Sequence, residues 1–196
     1  MSSWNMIRDC RSWDGVICDE MTGHVIELDL SCSQLVGNID YNSSLFQLSH
    51  LQRLDLSYNN FSNSHISPEF SSVFVLNDNS LNGTIPSRIF SLPSLQEIDL
   101  SNNQLQGHLP NSIQNPVNLA LLDLSFNNFS GHVDVCLFSD FKQLLYLDLS
   151  YNSISLTNEN KVNFTWPESL DTLSLAACEV KELEFLRSSW GVGSSK

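Results

Sequence analysis

The sequence predicts an α/β solenoid, a stack of similar coils that share one parallel β-sheet. A nine-residue phrase recurs as LDLSYNNFS at 54–62, IDLSNNQLQ at 98–106, LDLSFNNFS at 122–130 and LDLSYNSIS at 147–155. Each phrase opens with apolar and polar residues in alternation, the pattern of a strand with one buried face. Each phrase also carries asparagine at its sixth place, whereas a catalytic site needs only one copy of its chemistry. The repetition therefore indicates architecture.

The phrases belong to a longer repeat with the template LxxLxLxxNxLxGxIP, and the steps between successive coils are 26, 20, 24, 24, 25 and 26 residues. A period of about 20–29 residues with this leucine spacing is typical of a leucine-rich repeat. Stacked coils bury leucines that one coil could not bury alone. We therefore expect seven coils with a parallel sheet on the concave face and irregular or 3-10 segments outside. The coils begin at Val25, Leu51, Ser71, Leu95, Leu119, Leu144 and Leu170.

The asparagine of each phrase stands at the ninth position of the template. Behind each strand the chain turns, and its backbone groups lose their partners in the sheet. An inward amide offers two donor hydrogens and an acceptor oxygen, so a column of amides can satisfy these groups. We expect this structural role for Asn59, Asn79, Asn103, Asn127 and Asn152.

Composition and motifs argue against several classes of function. The chain has 196 residues and a net charge of −13, which disfavours nucleic acids and anionic membranes as partners. The sequence contains no GxSxG, Walker A, HExxH or paired CxxC motif, so we expect no enzyme, no cofactor and no metal. A column of aspartates at the fifth position belongs to the ordinary repeat phrase.

Candidate ligand-binding residues are those at which the repeats disagree. The third and eighth positions flank the strand on the concave face, and a scaffold does not need aromatic residues there. Such residues can anchor a ligand, although neighbouring rings could also simply stack on each other. The candidates are Tyr58, Glu97, Asn102, Leu121, Phe126, Tyr146 and Tyr151.

Two further sets of residues concern covalent modification. Among five cysteines, Cys10 and Cys18 lie close enough in sequence to form a disulfide. Asn60 and Asn128 stand at the tenth position and Asn82 at the twelfth, both outward in the template. The full set of N-glycosylation candidates is Asn42, Asn60, Asn82, Asn128 and Asn163.

The pattern LxGxIP resembles the plant-specific class of leucine-rich repeats. SWNMIRDCRSWDGVICDEMTGHVIELDLSCSQLVGNI at 3–39 resembles the end of the N-terminal cap and the first repeat of plant receptor-like proteins of the Cf disease-resistance type. That family has two adjacent cysteines where this chain has Cys10 and Arg11, so the family's own pairings are broken here. The resemblance implies a cap remnant at 1–24, repeats at 25–187 and a non-repeat tail at 188–196.

The resemblance also implies a function. It predicts an extracellular, glycosylated module at the plasma membrane that recognises a pathogen-derived or endogenous protein or peptide ligand and signals through a partner receptor kinase. The opening MSSWNMIRDC lacks the apolar stretch of a signal peptide, and no apolar run is long enough to span a membrane. We therefore expect a fragment without leader or anchor. The alternatives are a secreted inhibitor of cell-wall-degrading enzymes and a non-functional truncated gene product.

Overall fold

Short strands and 3-10 helices form the repeating units of the chain. The structure is a computed structural model that describes residues 9–39, 43–62, 64–66, 72–158 and 164–180. Within these ranges the helices are all of the 3-10 type, at Cys10–Ser12, Ser44–Gln47, Ser87–Ser91, Asn111–Gln114 and Val135–Phe138. The strands are β1 (Val16–Cys18), β2 (Val25–Asp29), β3 (Arg53–Asp55), β4 (Val73–Val75), β5 (Asn82–Gly83), β6 (Glu97–Asp99), β7 (Gln104–Gly107), β8 (Leu121–Asp123), β9 (Asn128–Asp134), β10 (Tyr146–Asp148), β11 (Ser153–Thr157), β12 (Thr172–Ser174) and β13 (Glu179–Val180).

The large sheet confirms the predicted solenoid. Its order is β1-β2-β3-β4-β6-β8-β10-β12, with every pair parallel except the antiparallel pair β1–β2. The third residues of successive coils pair in register, and their spacing reproduces the predicted steps of 26, 20, 24, 24, 25 and 26 residues. These residues are Glu27, Arg53, Val73, Glu97, Leu121, Tyr146 and Thr172.

The core lies behind the large sheet. The middle residue of each central strand is buried and its two neighbours are partly exposed, as the alternation predicted. The apolar residues at the first, fourth and sixth positions of the template stack from coil to coil, as in Leu119, Leu122 and Leu124, each fully buried. Burying one such side chain contributes about 1.5–3 kcal/mol. Phenylalanines, among them Phe90 and Phe138, fill the wider outer part of the coil.

A second, small sheet was not predicted from the sequence. Its order is β13-β11-β9-β7-β5, and all its pairs are parallel. The twelfth residue of one coil pairs with the tenth of the next, as Asn82 does with Gln104 and Gln106 with Asn128. Segments such as QLQG and NFSG thus form strands where irregular structure was expected. The short alternation of polar and apolar residues in these segments was the sequence signal that could have predicted the strands.

The 3-10 helices on the outer side of the coils confirm the predicted 3-10 segments. Pro86 and Pro110 each precede one of these helices with φ near −64° and −71°. Proline favours this backbone conformation and needs no N–H partner. The helix at 135–138 begins instead with Asp134, whose carboxylate accepts a hydrogen bond from the Cys136 N–H at 3.0 Å.

The second coil is shorter than its neighbours. Buried Ser64 joins the coils on both sides: its hydroxyl accepts a hydrogen bond from the Ile39 N–H at 2.8 Å, and its carbonyl accepts one from Asn82 at 3.2 Å. Sequence reasoning did not single out this serine. Ser71, which stands at a leucine position, lies outside the described residues.

The N-terminal region packs against the first coil. The structure joins Cys10 and Cys18 by a disulfide, which ties the first 3-10 helix to β1. The backbone of Gly15 approaches Asp29 so closely that the Asp29 N–H donates to its carbonyl at 2.7 Å. None of the helices in the described ranges has the length and apolarity that crossing a bilayer requires.

Candidate ligand-binding face

The outward face of the large sheet is built by three positions of the template. The third and fifth residues point out of the sheet because the fourth points into the core. The eighth residue follows at the turn. We call the residues at these three positions the sheet face. They come from all seven coils, and all of them lie in the described part of the chain.

The eighth position adopts one backbone conformation in every coil. Its φ lies between 51° and 60° throughout, in the left-handed region that bulky residues rarely occupy. In the first six coils the N–H there donates to the seventh carbonyl of the next coil, as Phe126 does to Ser150 at 3.0 Å. None of the coils has glycine at this position, and sequence reasoning did not predict the conformation. The residues concerned are Cys32, Tyr58, Asp78, Asn102, Phe126, Tyr151 and Ala177.

The fifth position carries the aspartate column, and its carboxylates support the turn. In Asp55, Asp99 and Asp123, Oδ1 accepts hydrogen bonds from both the N–H and the hydroxyl of the serine two residues later, at 2.6–3.0 Å. The equivalent bonds from backbone N–H groups reach Asp29 and Asp148. The structural interpretation of these aspartates is confirmed.

The carboxylates also affect each other. Burial raises the pKa of Asp99, the serine hydrogen bonds oppose this, and the charges of Asp78 and Asp55 add to the rise. Burial likewise raises the pKa of Asp123, opposed by its hydrogen bonds to Ser125 and reinforced by neighbouring aspartates. Both groups therefore lie where negative charge is disfavoured.

The half of the sheet face over β3 to β6 holds polar contacts on both sides of Val73 and Val75 of β4. The Arg53 guanidinium lies 3.4 Å from the Glu97 carboxylate and 4.0 Å from that of Asp55. The amide of Asn102 donates to the carboxylate of Asp78 in the preceding coil. Of the predicted candidates here, Glu97 and Asn102 thus have partners within the sheet face, whereas Tyr58 is 59% exposed.

The half over β8 and β10 is apolar and aromatic. We call Leu121, Phe126, Tyr146 and Tyr151 the aromatic ledge. The rings of Phe126 and Tyr151 stack with centroids 4.2 Å apart and planes 15° from parallel. The neighbouring rings do stack on each other, as the alternative interpretation expected. Phe126 and Tyr151 nevertheless remain 51% and 52% exposed. One face of the stacked pair still meets solvent.

Tyr146 is held at the centre of the ledge. Its hydroxyl lies 3.4 Å from Oδ2 of both Asp123 and Asp148 and donates between them. Burial, together with these two carboxylates, raises the pKa of Tyr146 to about 12. The phenol is therefore neutral at physiological pH.

The asparagine column behind the turns is confirmed. The amide of Asn127 donates to the carbonyls of Leu100, Leu124 and Ser125 at 2.9–3.2 Å, and its oxygen accepts from the Leu105 N–H at 3.0 Å. Each asparagine thus joins two coils. The column is imperfect at the short coil, where the amide oxygen of Asn79 is buried without a hydrogen bond.

The last coil replaces the asparagine by cysteine. The Cys178 thiol donates to the Leu149 carbonyl at 3.2 Å. Burial, and then the Asp148 charge, raise its pKa to about 11. Within the described residues no cluster of three or more histidine, cysteine or acidic side chains is arranged to hold a metal ion.

Of the N-glycosylation candidates, Asn82 lies in β5 and Asn128 in β9 of the small sheet, whereas Asn60 forms an isolated bridge with Val36. Asn60 and Asn128 are exposed, and the hydroxyl of Ser62 donates to the Asn60 side chain. Asn82 differs from the outward placement expected, because it is half-buried and its amide oxygen has no partner. Asn42 and Asn163 lie outside the described residues.

Comparison with known proteins agrees with this architecture. Two segments, residues 50–73 and 72–129, match family models described as leucine rich repeat. The chain resembles the crystal structure of the Arabidopsis receptor kinase HAESA ectodomain with a TM-score of 0.77 and 32% identity over 91% of this chain and 30% of that one. It also resembles the ectodomain of the receptor kinase SOBIR1 from Arabidopsis thaliana, with a TM-score of 0.64 and 30% identity over 75% of this chain and 87% of that one. The fold is that of a leucine-rich-repeat ectodomain.

Sequence relatives narrow the class. The chain is 68% identical over 68 residues, or 35% of its length, to receptor-like protein Cf-9 of Solanum pimpinellifolium. It is 37% identical over 183 residues, or 91% of its length, to receptor-like protein 6 of Arabidopsis thaliana. The chain belongs to the plant leucine-rich-repeat receptor-like proteins. It spans 8% and 17% of the lengths of these two relatives.

Proposed function

We propose that the chain is an extracellular recognition module of a receptor-like protein and that it binds a protein or peptide ligand on the sheet face. The observation that carries this proposal is the half-exposed aromatic pair Phe126 and Tyr151. Both residues occupy left-handed positions, which cost bulky side chains roughly 1–2 kcal/mol each. Exposed aromatic residues on a rigid scaffold are suited to anchoring a ligand.

The comparisons support peptide recognition and a kinase partner. The HAESA ectodomain was solved in complex with a peptide hormone and, in another crystal, also with the co-receptor SERK1. By analogy we propose a pathogen-derived or endogenous peptide as ligand and a receptor kinase as partner, at the outer side of the plasma membrane. In this scheme residues 1–24 serve as a cap remnant, 25–187 as the repeat domain and 188–196 as a tail.

If the ligand binds at the sheet face, the surface of the small sheet remains free to carry glycans. The exposed candidate Asn128 lies in β9 of that sheet, and exposed Asn60 stands at the same template position, in an isolated bridge with Val36. We propose that the small sheet is the glycosylated side of the module.

Peptide selection on the purified chain tests the proposal. A library of random peptides is displayed on phage and panned against the immobilised chain, and the recovered peptides are titrated against single variants. Leu121→Ala and Tyr151→Ala remove parts of the aromatic ledge. Gln104→Ala and Gln106→Ala, exposed on the small sheet, are the matched controls.

We expect recovered peptides to lose at least about fivefold in affinity on the ledge variants, the effect of a buried contact at an interface. The control variants should change affinity less than about twofold. If the recovered peptides bound every variant equally, or if none bound the wild-type chain, the sheet face would not be a recognition surface.

A further inference from the structure

We propose that the aromatic ledge and the aspartates beside it select an extended peptide segment in which a lysine or arginine stands two residues from an apolar side chain. This inference rests on the proposed function and specifies its ligand class. It combines two features of the same strands: an exposed apolar surface and an excess of negative charge.

The apolar part of the surface comes from two adjacent coils. Leu121 pairs with Tyr146 across β8 and β10, and Phe126 stacks on Tyr151 one turn further along the chain. Strands in a sheet lie about 4.8 Å apart, so the two residues of each pair are neighbours, and Asp123 and Asp148 stand between the two pairs along the chain. An apolar side chain of a ligand would gain contact there by covering the exposed ring faces.

The charged part of the surface is almost wholly negative. Eight of its side chains are carboxylates, and Arg53 is the one cation within the sheet face, already placed near Glu97 and Asp55. Arg53 lies in the second coil, whereas the ledge lies in the fifth and sixth. The carboxylates are Glu27, Asp29, Asp55, Asp78, Glu97, Asp99, Asp123 and Asp148.

The two parts meet at Tyr146. Its hydroxyl donates to Oδ2 of both Asp123 and Asp148, so these carboxylates border the aromatic ledge directly. Arg53, the cation of the sheet face, lies three coils away, so this border lacks a compensating positive charge. Burial raises the pKa of Asp123, its hydrogen bonds to Ser125 oppose this, and the charges of Asp99 and Asp148 add to the rise. A ligand cation at this border would supply the missing positive charge while an apolar side chain two residues away covers the rings.

Extended peptides suit the surface for a geometric reason. Successive side chains of an extended segment point to opposite sides, and alternate ones recur every ~6.8 Å. A segment running along the strands can therefore place one side chain at the aspartates and the next one on that side over the rings. Its charge complements the sheet face, whereas an acidic segment would be repelled.

Calorimetric titration of defined peptides tests this inference. The probe is the capped octapeptide Ser-Lys-Gly-Leu-Ser-Arg-Gly-Phe, in which cationic and apolar residues stand two positions apart and therefore share one side of an extended chain. One copy carries Glu in place of Lys and Arg, and another carries Ser in place of Leu and Phe. We expect the probe to bind, and each copy to bind at least about tenfold more weakly, because each loses one half of the complementarity.

Chain variants then locate the binding. Asp123→Asn keeps an oxygen for Ser125 but removes the charge, and should weaken the probe about fivefold, the value of one close charge pair in water. Asp29→Asn is the matched control, because it removes the same charge at the same template position four coils away. It should change the affinity less than about twofold. Denaturant midpoints of both variants show whether the fold is retained.

Failure can be assigned to the right proposal. No binding of the probe, equal binding of its Glu copy, or equal loss in Asp29→Asn and Asp123→Asn would each overturn the cationic preference. If neutral or acidic peptides recovered by panning still depended on Leu121 and Tyr151, the recognition module would stand and only its ligand class would be wrong.

Discussion

At the scale of single residues, structural and recognition roles occupy adjacent positions. Asn127 at the ninth position makes four hydrogen bonds inside the stack, while Phe126 before it and Asn128 after it are exposed. The amide is fixed because it must satisfy backbone groups of two coils at once. The eighth side chain has no such duty, and this is why it varies from coil to coil.

Replacing Asn127 by alanine should lower the free energy of unfolding by roughly 1–3 kcal/mol, because backbone groups of two coils lose their partner. Asn128→Ala should stay within about 0.5 kcal/mol as an exposed change. Urea midpoints of the two variants check this. Equal losses would mean that Asn127 does not hold the coils together.

Tyr146 gives a prediction about alkaline pH. Its pKa rises from 10.0 to about 12 on folding, so between these values the folded state keeps a proton that the unfolded state has lost. The contribution of Tyr146 to stability is therefore complete below about pH 10 and is lost as the pH rises towards 12. The stability difference between the wild type and Tyr146→Phe should shrink over this range in pH-dependent urea unfolding. A difference independent of pH would contradict the raised pKa of Tyr146, and with it the burial of the phenol beside Asp123 and Asp148.

At the scale of elements, the small sheet explains the glycines at the thirteenth position. Gly83, Gly107 and Gly131 have φ of 85°, 87° and 93°. A side chain from the preceding coil also occupies the space that a Cβ atom would need, His108 at Gly131 and Thr84 at Gly107. Backbone conformation and close packing therefore both require glycine.

Gly131→Ala should destabilise the chain by more than the roughly 1–2 kcal/mol of a left-handed alanine, because its Cβ also meets the His108 ring. Gly23→Ala is the control for the backbone term alone: its φ is 72° and nothing lies within 4 Å of its Cβ position. The double variant His108→Ala/Gly131→Ala should recover the difference between the two single glycine variants. If Gly23→Ala and Gly131→Ala had equal denaturant midpoints, the contact of the added Cβ with the His108 ring would not contribute to stability.

The sequence predicted the repeating elements better than the connections between them. The coil steps and the inward amides follow from leucine and asparagine spacing, which the core enforces in every coil. The small sheet was missed because its strands are only two to seven residues long and pair with an offset of two positions. The left-handed turn was missed because Tyr58, Phe126 and Tyr151 are residue types that do not normally mark it.

At the scale of the whole molecule, the two sheets divide the surface between them. The large sheet presents an acidic face with one aromatic region, and the small sheet presents mainly uncharged residues such as Gln104 and Asn128, with Asp134 and Glu179 as its carboxylates. Candidate binding residues could be named from the sequence because variable positions stand out against a regular repeat. Their grouping into two regions required the structure, since the stacked rings of Phe126 and Tyr151 are 25 positions apart and the ion pair of Arg53 with Glu97 joins residues 44 positions apart.

Hydrogen exchange with and without a bound peptide tests the central claim, that recognition occurs at the aromatic ledge of the large sheet. The peptide with the highest affinity from panning is added to the purified chain, and protection is compared by mass spectrometry. We predict added protection in residues 119–126 and 144–151, and none in 128–134 or 153–157 of the small sheet. Protection confined to the small sheet or to the N-terminal region 9–24 would contradict the account.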